Sequence, residues 1–275
     1  MAESRTVTRV RVPEVGRRIL EVARTVDLTP RLRRIVLTGA ALDDGFPWQH
    51  FAVTDHVKVV VPDPATGEIA LPVATDAGLR MPNGAVPLVR DYTVRAWDPQ
   101  TRELTLDFVL HDHGPAGKWA SSARPGDRIG AMGPRGNVMF PTGYPFYLAL
   151  GDETAIPAVT RLLEELPDGA RVLAFLEVED ATEELPLTLR DGVEVRWVHR
   201  AVEGPGGLER ALRAWTPPAD DDWFAFAAGE AGALVPVRRY LRHELGLPKE
   251  QVDVDGYWKI GVADLDHHAD HVGSD

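Results

Sequence analysis

Cysteine is absent from the 275 residues of this chain. A chain without thiols forms no disulfide, builds no zinc site on thiolates and ligates no iron–sulfur cluster through cysteine. If the protein transfers electrons, an organic cofactor must therefore carry them.

Long apolar segments are missing as well. No apolar run approaches the roughly 18 residues that a membrane-spanning helix requires. The N-terminus, residues 1–5, is polar and contains no apolar core of a secretory signal. We therefore expect a cytoplasmic protein that is not inserted into a membrane.

Basic residues are scarce in the second half of the chain. Residues 1–140 contain 18 Lys and Arg against 16 Asp and Glu, whereas residues 141–275 contain 12 against 26. The excess of 14 negative charges (12 − 26) in the second half repels nucleic acids and anionic membranes, so neither is an expected partner. A solvated acidic surface also accounts for most of this charge, and the nearly neutral first half leaves room for a local basic pocket.

Short β-type runs dominate the first 140 residues. Proline, glycine and aspartate clusters separate them, which is typical of turns between strands. A short helix is predicted over residues 116–123. The spacing predicts an antiparallel barrel or sandwich. The predicted strands are residues 17–26, 33–37, 57–61, 92–97, 104–110 and 128–132.

Strands and helices alternate in the second half. Continuously apolar strands that alternate with helices predict a parallel sheet covered on both faces, which is a doubly wound α/β domain. The predicted strands are residues 146–150, 171–177, 194–199 and 223–228, and the predicted helices are residues 155–166, 208–215 and 231–245.

These patterns predict two domains and a tail. The first domain is expected over residues 1–141 and the second over residues 142–261. Residues 262–275 form a polar tail that contains several His and Asp residues. A metal site there is one interpretation, but a polar terminus with nothing to pack against is usually flexible, so we expect no metal.

One predicted strand carries the side chains that a flavin needs. The sequence Arg-Asp-Tyr-Thr-Val-Arg occupies residues 90–95. Because side chains alternate along a strand, Arg90, Tyr92 and Val94 share one face. Tyr92 offers an aromatic plane, Thr93 a hydroxyl, and Arg90 a planar guanidinium that can meet two phosphate oxygens. An exposed strand edge explains such residues equally well, so this segment alone leaves both interpretations open.

A second segment adds a helix start suited to phosphate. After a strand, residues 111–120 pass through Gly-Pro and begin a helix. A helix N-terminus reached through small residues presents free N–H groups and a positive dipole end, which suits a diphosphate. An ordinary Gly-Pro turn with a core tryptophan at Trp119 is the alternative.

The first turn of the predicted α/β domain is a third candidate. A buried strand leads into Gly-Asp-Glu-Thr at residues 151–154 and then into a helix. Ligands of such sheets lie beyond the carboxyl ends of the strands. Residues 226–230 repeat the arrangement, with small residues and glycine at a strand end. Neither segment carries the glycine-rich dinucleotide fingerprint, so any dinucleotide must bind differently or weakly.

Taken in order, these motifs closely resemble the siderophore-interacting protein family, FAD-dependent ferric-siderophore reductases of the ferredoxin-NADP reductase-like superfamily. The resemblance runs from about residue 22 to residue 261. It rests on residues 55–58, 90–95, 107–111, 114–116, 119–120, 133–136, 151–158, 228–230 and 256–258. It implies an antiparallel six-stranded Greek-key FAD-binding barrel followed by a doubly wound parallel-sheet domain of the NAD(P)-binding type.

The resemblance also implies roles for single residues. Arg90 should pair with the FAD pyrophosphate. Tyr92 should stack on the flavin and Thr93 should approach the N5 edge, so these two are the expected catalytic residues. The expected cofactor-binding residues are Arg90, Tyr92, Thr93, Val94, Val109, His111, Pro115, Ala116, Trp119, Ala120, Thr154, Ala155, Tyr257 and Trp258.

Further roles concern the electron donor and the substrate. The implied dinucleotide-binding residues are Gly151, Asp152, Glu153, Thr154 and Glu230. The implied siderophore-binding residues are Lys259, Arg135 and Lys58, of which Lys58 equally suits a surface salt bridge.

The implied reaction is the reduction of a bound ferric siderophore, with electrons from NADH, NADPH or reduced ferredoxin passing through FAD. Because no Lys or Arg cluster follows Glu177, tight binding of NADPH is disfavoured. Two alternatives stay open: a flavin-binding siderophore carrier without turnover, and a general NAD(P)H- and flavin-dependent reductase with another acceptor. Nothing in the sequence requires more than a monomer.

Overall fold

A computed structural model describes residues 4–12, 14–75, 78–83, 89–112 and 114–262. The chain divides into two compact units, one of residues Arg9–Val138 and the other of residues Met1–Thr8 with Met139–Asp275. Among the described residues, no helix has the length and the apolar content that crossing a membrane requires. The predicted tail, beyond Val262, lies outside the described residues.

Ten strands and one α-helix precede residue 140 in the described part of the chain. The helix, α1, is Pro115–Ser122. The strands are β1 (Thr8–Arg11), β2 (Arg17–Thr29), β3 (Leu32–Thr38), β4 (His56–Val60), β5 (Val73–Thr75), β6 (Gly78–Arg80), β7 (Arg90–Asp98), β8 (Glu103–Val109), β9 (Arg128–Met132) and β10 (Gly136–Met139).

Six of these strands close into a barrel in the order β2-β3-β8-β7-β4-β9. Every neighbouring pair in the barrel is antiparallel. Strands β4, β7 and β8 follow one another as neighbours, and β9 returns to lie beside β4, which is Greek-key connectivity. The six-stranded antiparallel Greek-key barrel is therefore confirmed.

Alternating side chains fill the barrel. In β8, Leu104, Leu106 and Phe108 are fully buried, while Asp107 between them is held by Arg34 through two hydrogen bonds of 2.7 and 2.8 Å. This period of two is the reason why the sequence predicts these strands. The fully buried part of the core includes Leu20, Val22, Ile35, Leu37, Val57, Leu104, Leu106, Phe108 and Ile129.

The second unit is a parallel sheet with the strand order β13-β12-β11-β14-β15. The strands are β11 (Phe146–Gly151), β12 (Arg171–Val178), β13 (Val193–His199), β14 (Trp223–Glu230) and β15 (Val252–Trp258). The helices are α2 (Ile156–Glu165), α3 (Arg200–Glu203), α4 (Gly207–Ala214) and α5 (Ala231–Arg239), which continues as a π-helical turn over Tyr240–Glu244. Because the order reads third, second, first, fourth and fifth, the doubly wound prediction is confirmed.

Strand β15 is the main element that the sequence patterns above do not predict. Val252 and Val254 alternate with Asp253 and Asp255, and only Val254 among them is buried. Such alternation is typical of a strand at a sheet edge, and β13 at the opposite edge alternates as well. The family resemblance assigns Tyr257, near the end of this strand, a role in cofactor binding. It does not place the segment in the sheet.

Candidate functional site

Strand β7 brings Arg90, Thr93 and Val94 into the barrel wall. Val94 is fully buried in the core. The Arg90 guanidinium is half-buried, and its Nη1 atom donates a hydrogen bond of 2.7 Å to the carbonyl oxygen of Val89. Val94 therefore anchors this segment in the barrel core, while the hydrogen bond of Arg90 is local to the start of the strand.

Tyr92 belongs to an aromatic chain that joins β7 to α1. Its ring centroid lies 4.2 Å from that of Phe108, which in turn lies 5.8 Å from that of Trp119. Both outer rings pack against the barrel core, and burial raises the pKa of the Tyr92 phenol above its ordinary value. The structure thus brings two of the sequence-derived segments together, while stacking of Tyr92 on a flavin stays a prediction.

Thr93 carries a hydroxyl group that is free to bind a ligand. The residue is only 7% exposed and lies opposite His56 in the pairing of β4 with β7. Its hydroxyl forms no hydrogen bond with any residue in the described part of the chain. The hydroxyl oxygen is not among the fully buried polar atoms of the described residues that lack a partner, so a ligand can reach it and form a hydrogen bond.

The three predicted siderophore-binding cations differ in their surroundings. Lys58 Nζ lies 2.9 Å from both carboxylate oxygens of Asp91, so Lys58 already forms the salt bridge that was its alternative role. Arg135 and Lys259 are exposed, and Lys259 pairs through its backbone with Val262. Any anion that Lys58 bound would have to share the Lys58 ammonium group with Asp91.

Helix α1 begins without a side-chain cap. Its N-cap residue Gly114 forms no capping hydrogen bond, Pro115 occupies the first turn, and that turn contains no acidic residue. The main chain of His111 lies against the helix, since a Cβ atom on Gly117 would come within 2.7 Å of the His111 carbonyl oxygen. The uncapped N–H groups of the first turn, those of Ala116 and Gly117, can therefore meet an anion.

These features fit FAD. The diphosphate needs a guanidinium and open N–H groups, which Arg90 and the first turn of α1 supply, and the ring edge needs a polar group such as the Thr93 hydroxyl.

The remaining residues predicted in this unit have mixed surroundings. Ala116 and Ala120 are buried and pack inward, while Val109 and Pro115 are half-buried and His111 is exposed.

Asp152 is the centre of the predicted dinucleotide site. Its Oδ1 atom accepts hydrogen bonds from the backbone N–H and the hydroxyl of Thr154, at 2.9 and 2.5 Å. Its Oδ2 atom accepts from the backbone N–H of Glu230 and from Trp258 Nε1, both at 2.8 Å. This buried carboxylate therefore ties the turn after β11 to the ends of β14 and β15.

The glycines around Asp152 allow this close packing. A Cβ atom on Gly229, whose φ is +145°, would lie 2.7 Å from Asp152 Oδ2. One on Gly151 would lie 2.5 Å from the Cβ atom of Ala155, which is fully buried. Gly151, Asp152 and Ala155 consequently shape the end of the strand, and none of them presents a free polar side chain.

Glu230 has a structural task that the sequence did not reveal. Its Oε2 atom caps α5 by accepting a hydrogen bond of 2.6 Å from the backbone N–H of Ala233. Its Oε1 atom accepts one of 3.2 Å from the backbone N–H of Ile260, which holds the turn after β15. The cofactor and substrate roles of Tyr257, Trp258 and Lys259 stay predictions.

Asp152 makes the stability of the protein pH-dependent. Burial, with a contribution from Glu153, raises the pKa of Asp152 to about 6. An aspartate in the unfolded chain has a pKa of about 4, so between these values the folded protein holds a proton that the unfolded chain has released. The contribution of Asp152 to the free energy of unfolding is therefore highest near pH 4 and falls as the pH rises to 6.

The Asp152→Asn variant, which cannot titrate, provides the comparison. Urea unfolding from pH 4 to pH 7.5 should show the wild type losing about 2 to 3 kcal/mol relative to this variant as the pH rises. A difference between the two proteins that does not change with pH would contradict the expectation.

Glu153 belongs to a cluster of ion pairs around Arg200 that the sequence does not indicate. Its Oε1 atom accepts a hydrogen bond of 2.7 Å from Arg200 Nη2, and Arg200 Nη1 donates one of 3.0 Å to Glu177. The Arg200 Nε atom lies 3.6 Å from Glu179 Oε2. The four residues come from the ends of three neighbouring strands, β11, β12 and β13, so no spacing along the chain links them.

The matches to known proteins cover nearly the whole chain. Residues 21–138 match the family described as the siderophore-interacting FAD-binding domain, and residues 144–261 match the family described as siderophore-interacting protein. Over 271 residues the chain is 31% identical to the ferric vibriobactin reductase of Vibrio cholerae, with 96% of this chain and 97% of the relative covered.

Two further proteins are similar over most of their length. The NADPH-dependent ferric-chelate reductase of Escherichia coli is 34% identical over 244 residues, which are 88% of this chain and 92% of the relative. The crystal structure of a siderophore utilization protein from T. fusca has a TM-score of 0.84 and 46% sequence identity, and covers 95% of this chain and 99% of that chain.

Proposed function

Because this chain belongs to the siderophore-interacting protein family, we propose that it reduces ferric siderophores with FAD as its electron carrier. Siderophores hold ferric iron through hard oxygen ligands, and ferrous iron is held far less tightly by such ligands. Reduction is therefore a release step. The observation that carries the proposal is that the stretch matching the FAD-binding family contains both the uncapped start of α1 and the Arg90 strand.

The barrel residues supply binding and orientation. Arg90 and the first-turn N–H groups of α1 would hold the diphosphate, and the Thr93 hydroxyl would hydrogen-bond to the edge of the ring system. Bound FAD would accept two electrons and pass them on singly. Because electron transfer to iron requires no proton from the protein, we assign no general base. Lys58, Arg135 and Lys259 are the proposed contacts for the anionic ferric siderophore.

The proposed electron donor is a nicotinamide dinucleotide. The E. coli relative is named as NADPH-dependent, and ligands of doubly wound sheets lie at the carboxyl ends of the strands. In this chain that edge contains Gly151, Asp152, Glu153, Thr154 and Glu230. Reduced ferredoxin is the alternative donor. Since such dinucleotides are made and recycled in the cytoplasm, we place the reaction there.

Anaerobic reduction tests the proposal. The purified holoprotein should be yellow, and NADH or NADPH should bleach its flavin absorbance. Reduced ferredoxin is tested in parallel as the alternative electron donor. Adding a ferric catecholate or a ferric hydroxamate should restore the absorbance and produce ferrous iron, measured with a ferrous chelator.

Other outcomes identify the alternatives. Binding of a ferric siderophore without reoxidation of reduced flavin would indicate a carrier. Faster reoxidation by free flavin or quinone than by any ferric siderophore would indicate another acceptor. Colourless protein that cannot be reconstituted with FAD would overturn the proposal. We further propose a monomer, which light scattering of the holoprotein would test.

A further inference from the structure

We infer that this protein selects NADH over NADPH, and that Glu177, Glu179 and Arg200 are the residues that make the selection. The inference rests on the proposed function, in which a nicotinamide dinucleotide reduces the flavin. It adds the identity of the donor and the residues that determine it.

The topology puts the cluster where the adenosine ribose would lie. In doubly wound sheets, an acidic residue at the end of the second strand binds the ribose 2′-hydroxyl of NAD, and a nearby arginine can accommodate the 2′-phosphate of NADP. Strand β11 is the first strand of this sheet and β12 the second. Glu177 is the penultimate residue of β12, and Arg200 directly follows β13.

The guanidinium of Arg200 is already engaged by carboxylates. Nη2 lies 2.7 Å from Glu153 Oε1, Nη1 lies 3.0 Å from Glu177 Oε1, and Nε lies 3.6 Å from Glu179 Oε2. Every nitrogen of the planar fork thus faces an acidic group. Arg200 and Glu177 are 29% and 12% exposed at their side chains, so water screens their pairing only in part.

The other arginines between β12 and Arg200 are held elsewhere. Arg190 donates hydrogen bonds to the carbonyl oxygens of Ala170 and Pro167. Arg196 pairs with Glu194 at 2.6 Å, and its guanidinium lies over the Phe175 ring. Neither can turn to a phosphate at the end of β12 without giving up these contacts.

The charge of the cluster then decides between the two donors. One guanidinium against three carboxylates leaves a formal charge of −2 (1 − 3). A 2′-phosphate would bring further negative charge and would have to compete with Glu177 for Arg200, which costs interaction energy at this distance. A 2′-hydroxyl can instead donate a hydrogen bond to Glu177, which keeps the network intact.

The test compares the two donors in the holoprotein. Stopped-flow bleaching of the flavin, without any siderophore, gives the second-order rate constant of flavin reduction by NADH and by NADPH. We expect the wild type to favour NADH by about tenfold or more. The double variant Glu177→Gln, Glu179→Gln keeps the side-chain shapes and removes two negative charges, so its ratio should move toward NADPH by about tenfold or more.

A matched double variant controls for net charge. Glu209→Gln, Glu244→Gln also removes two negative charges, both from pairs with Arg213. This control should leave the ratio unchanged. A wild type that favours NADPH, or a Glu177→Gln, Glu179→Gln variant with the wild-type ratio, would overturn the inference.

The readout separates this inference from the proposed function. Titration calorimetry of the holoprotein with NAD⁺ and NADP⁺ measures dinucleotide binding without any iron complex. NADH-selective bleaching without siderophore reduction would reject the proposed acceptor and support the inference. No binding of either dinucleotide, with bleaching by reduced ferredoxin alone, would overturn the inference and leave siderophore reduction standing.

Discussion

The Arg90→Ala variant should bind FAD about 10- to 100-fold more weakly than the wild type. A hydrogen bond to a charged group contributes about 1.5 to 3 kcal/mol, and the diphosphate would lose its guanidinium partner. The uncapped start of α1 would remain, so binding is weakened and not abolished. Fluorescence titration of the apoprotein with FAD measures the change.

Two further variants sharpen this prediction. Arg90→Lys keeps the charge but loses the planar fork, so we expect an intermediate affinity. Arg124→Ala removes one positive charge from a side chain that is 83% exposed and whose carboxylate neighbour, Asp127, lies 4.0 Å away. This control should bind FAD normally. Equal FAD affinity in the Arg90→Ala variant and in the wild type would refute the role of Arg90.

The Asp152→Ala variant should unfold about 10 °C below the wild type. Asp152 is 4% exposed and accepts hydrogen bonds from Thr154, Glu230 and Trp258. Buried donors that lose their acceptor cost about 1 to 3 kcal/mol each, and removal of the desolvated charge offsets part of this loss. A net loss of about 3 kcal/mol corresponds to that shift in a chain of this size.

Asp180 offers a matched control on the same sheet. It begins a second Asp-x-Thr turn, in which its Oδ1 atom accepts hydrogen bonds of 2.8 and 2.6 Å from the N–H and the hydroxyl of Thr182. Asp180→Ala removes these turn contacts but none of the bonds to Glu230 and Trp258, and we expect a fall of only a few degrees. Similar shifts for Asp152→Ala and Asp180→Ala in differential scanning calorimetry would show that the bonds to Glu230 and Trp258 contribute little.

Local patterns predicted the larger part of the fold. The six barrel strands and four of the five sheet strands were expected from side-chain periodicity and turn residues, and each lies within a few residues of its predicted bounds. Strand β15 was not predicted because residues 252–258 were assigned no secondary structure, although Val252 to Asp255 alternate between apolar and acidic side chains. A period of two over these residues is the signal that identifies the strand.

The candidate site was predicted less completely. Residues 90–95 and the start of α1 were expected to act together, and the structure joins them through Phe108. Asp152 was expected to belong to a dinucleotide site, which stays a prediction, and only the structure shows that its oxygens accept hydrogen bonds inside the protein. Lys58 forms the salt bridge that the sequence left as an alternative.

The sequence by itself determined what depends on near neighbours: the absence of thiol chemistry, the strand and helix periods, and the turns that end them. Only the tertiary structure decided that Trp258 donates to Asp152, from a position 106 residues further along the chain, and that Arg200 meets Glu153, Glu177 and Glu179. The reason is geometric. Periodicity records which face of an element is buried, whereas contacts between distant residues depend on the order and register of the strands in the sheet.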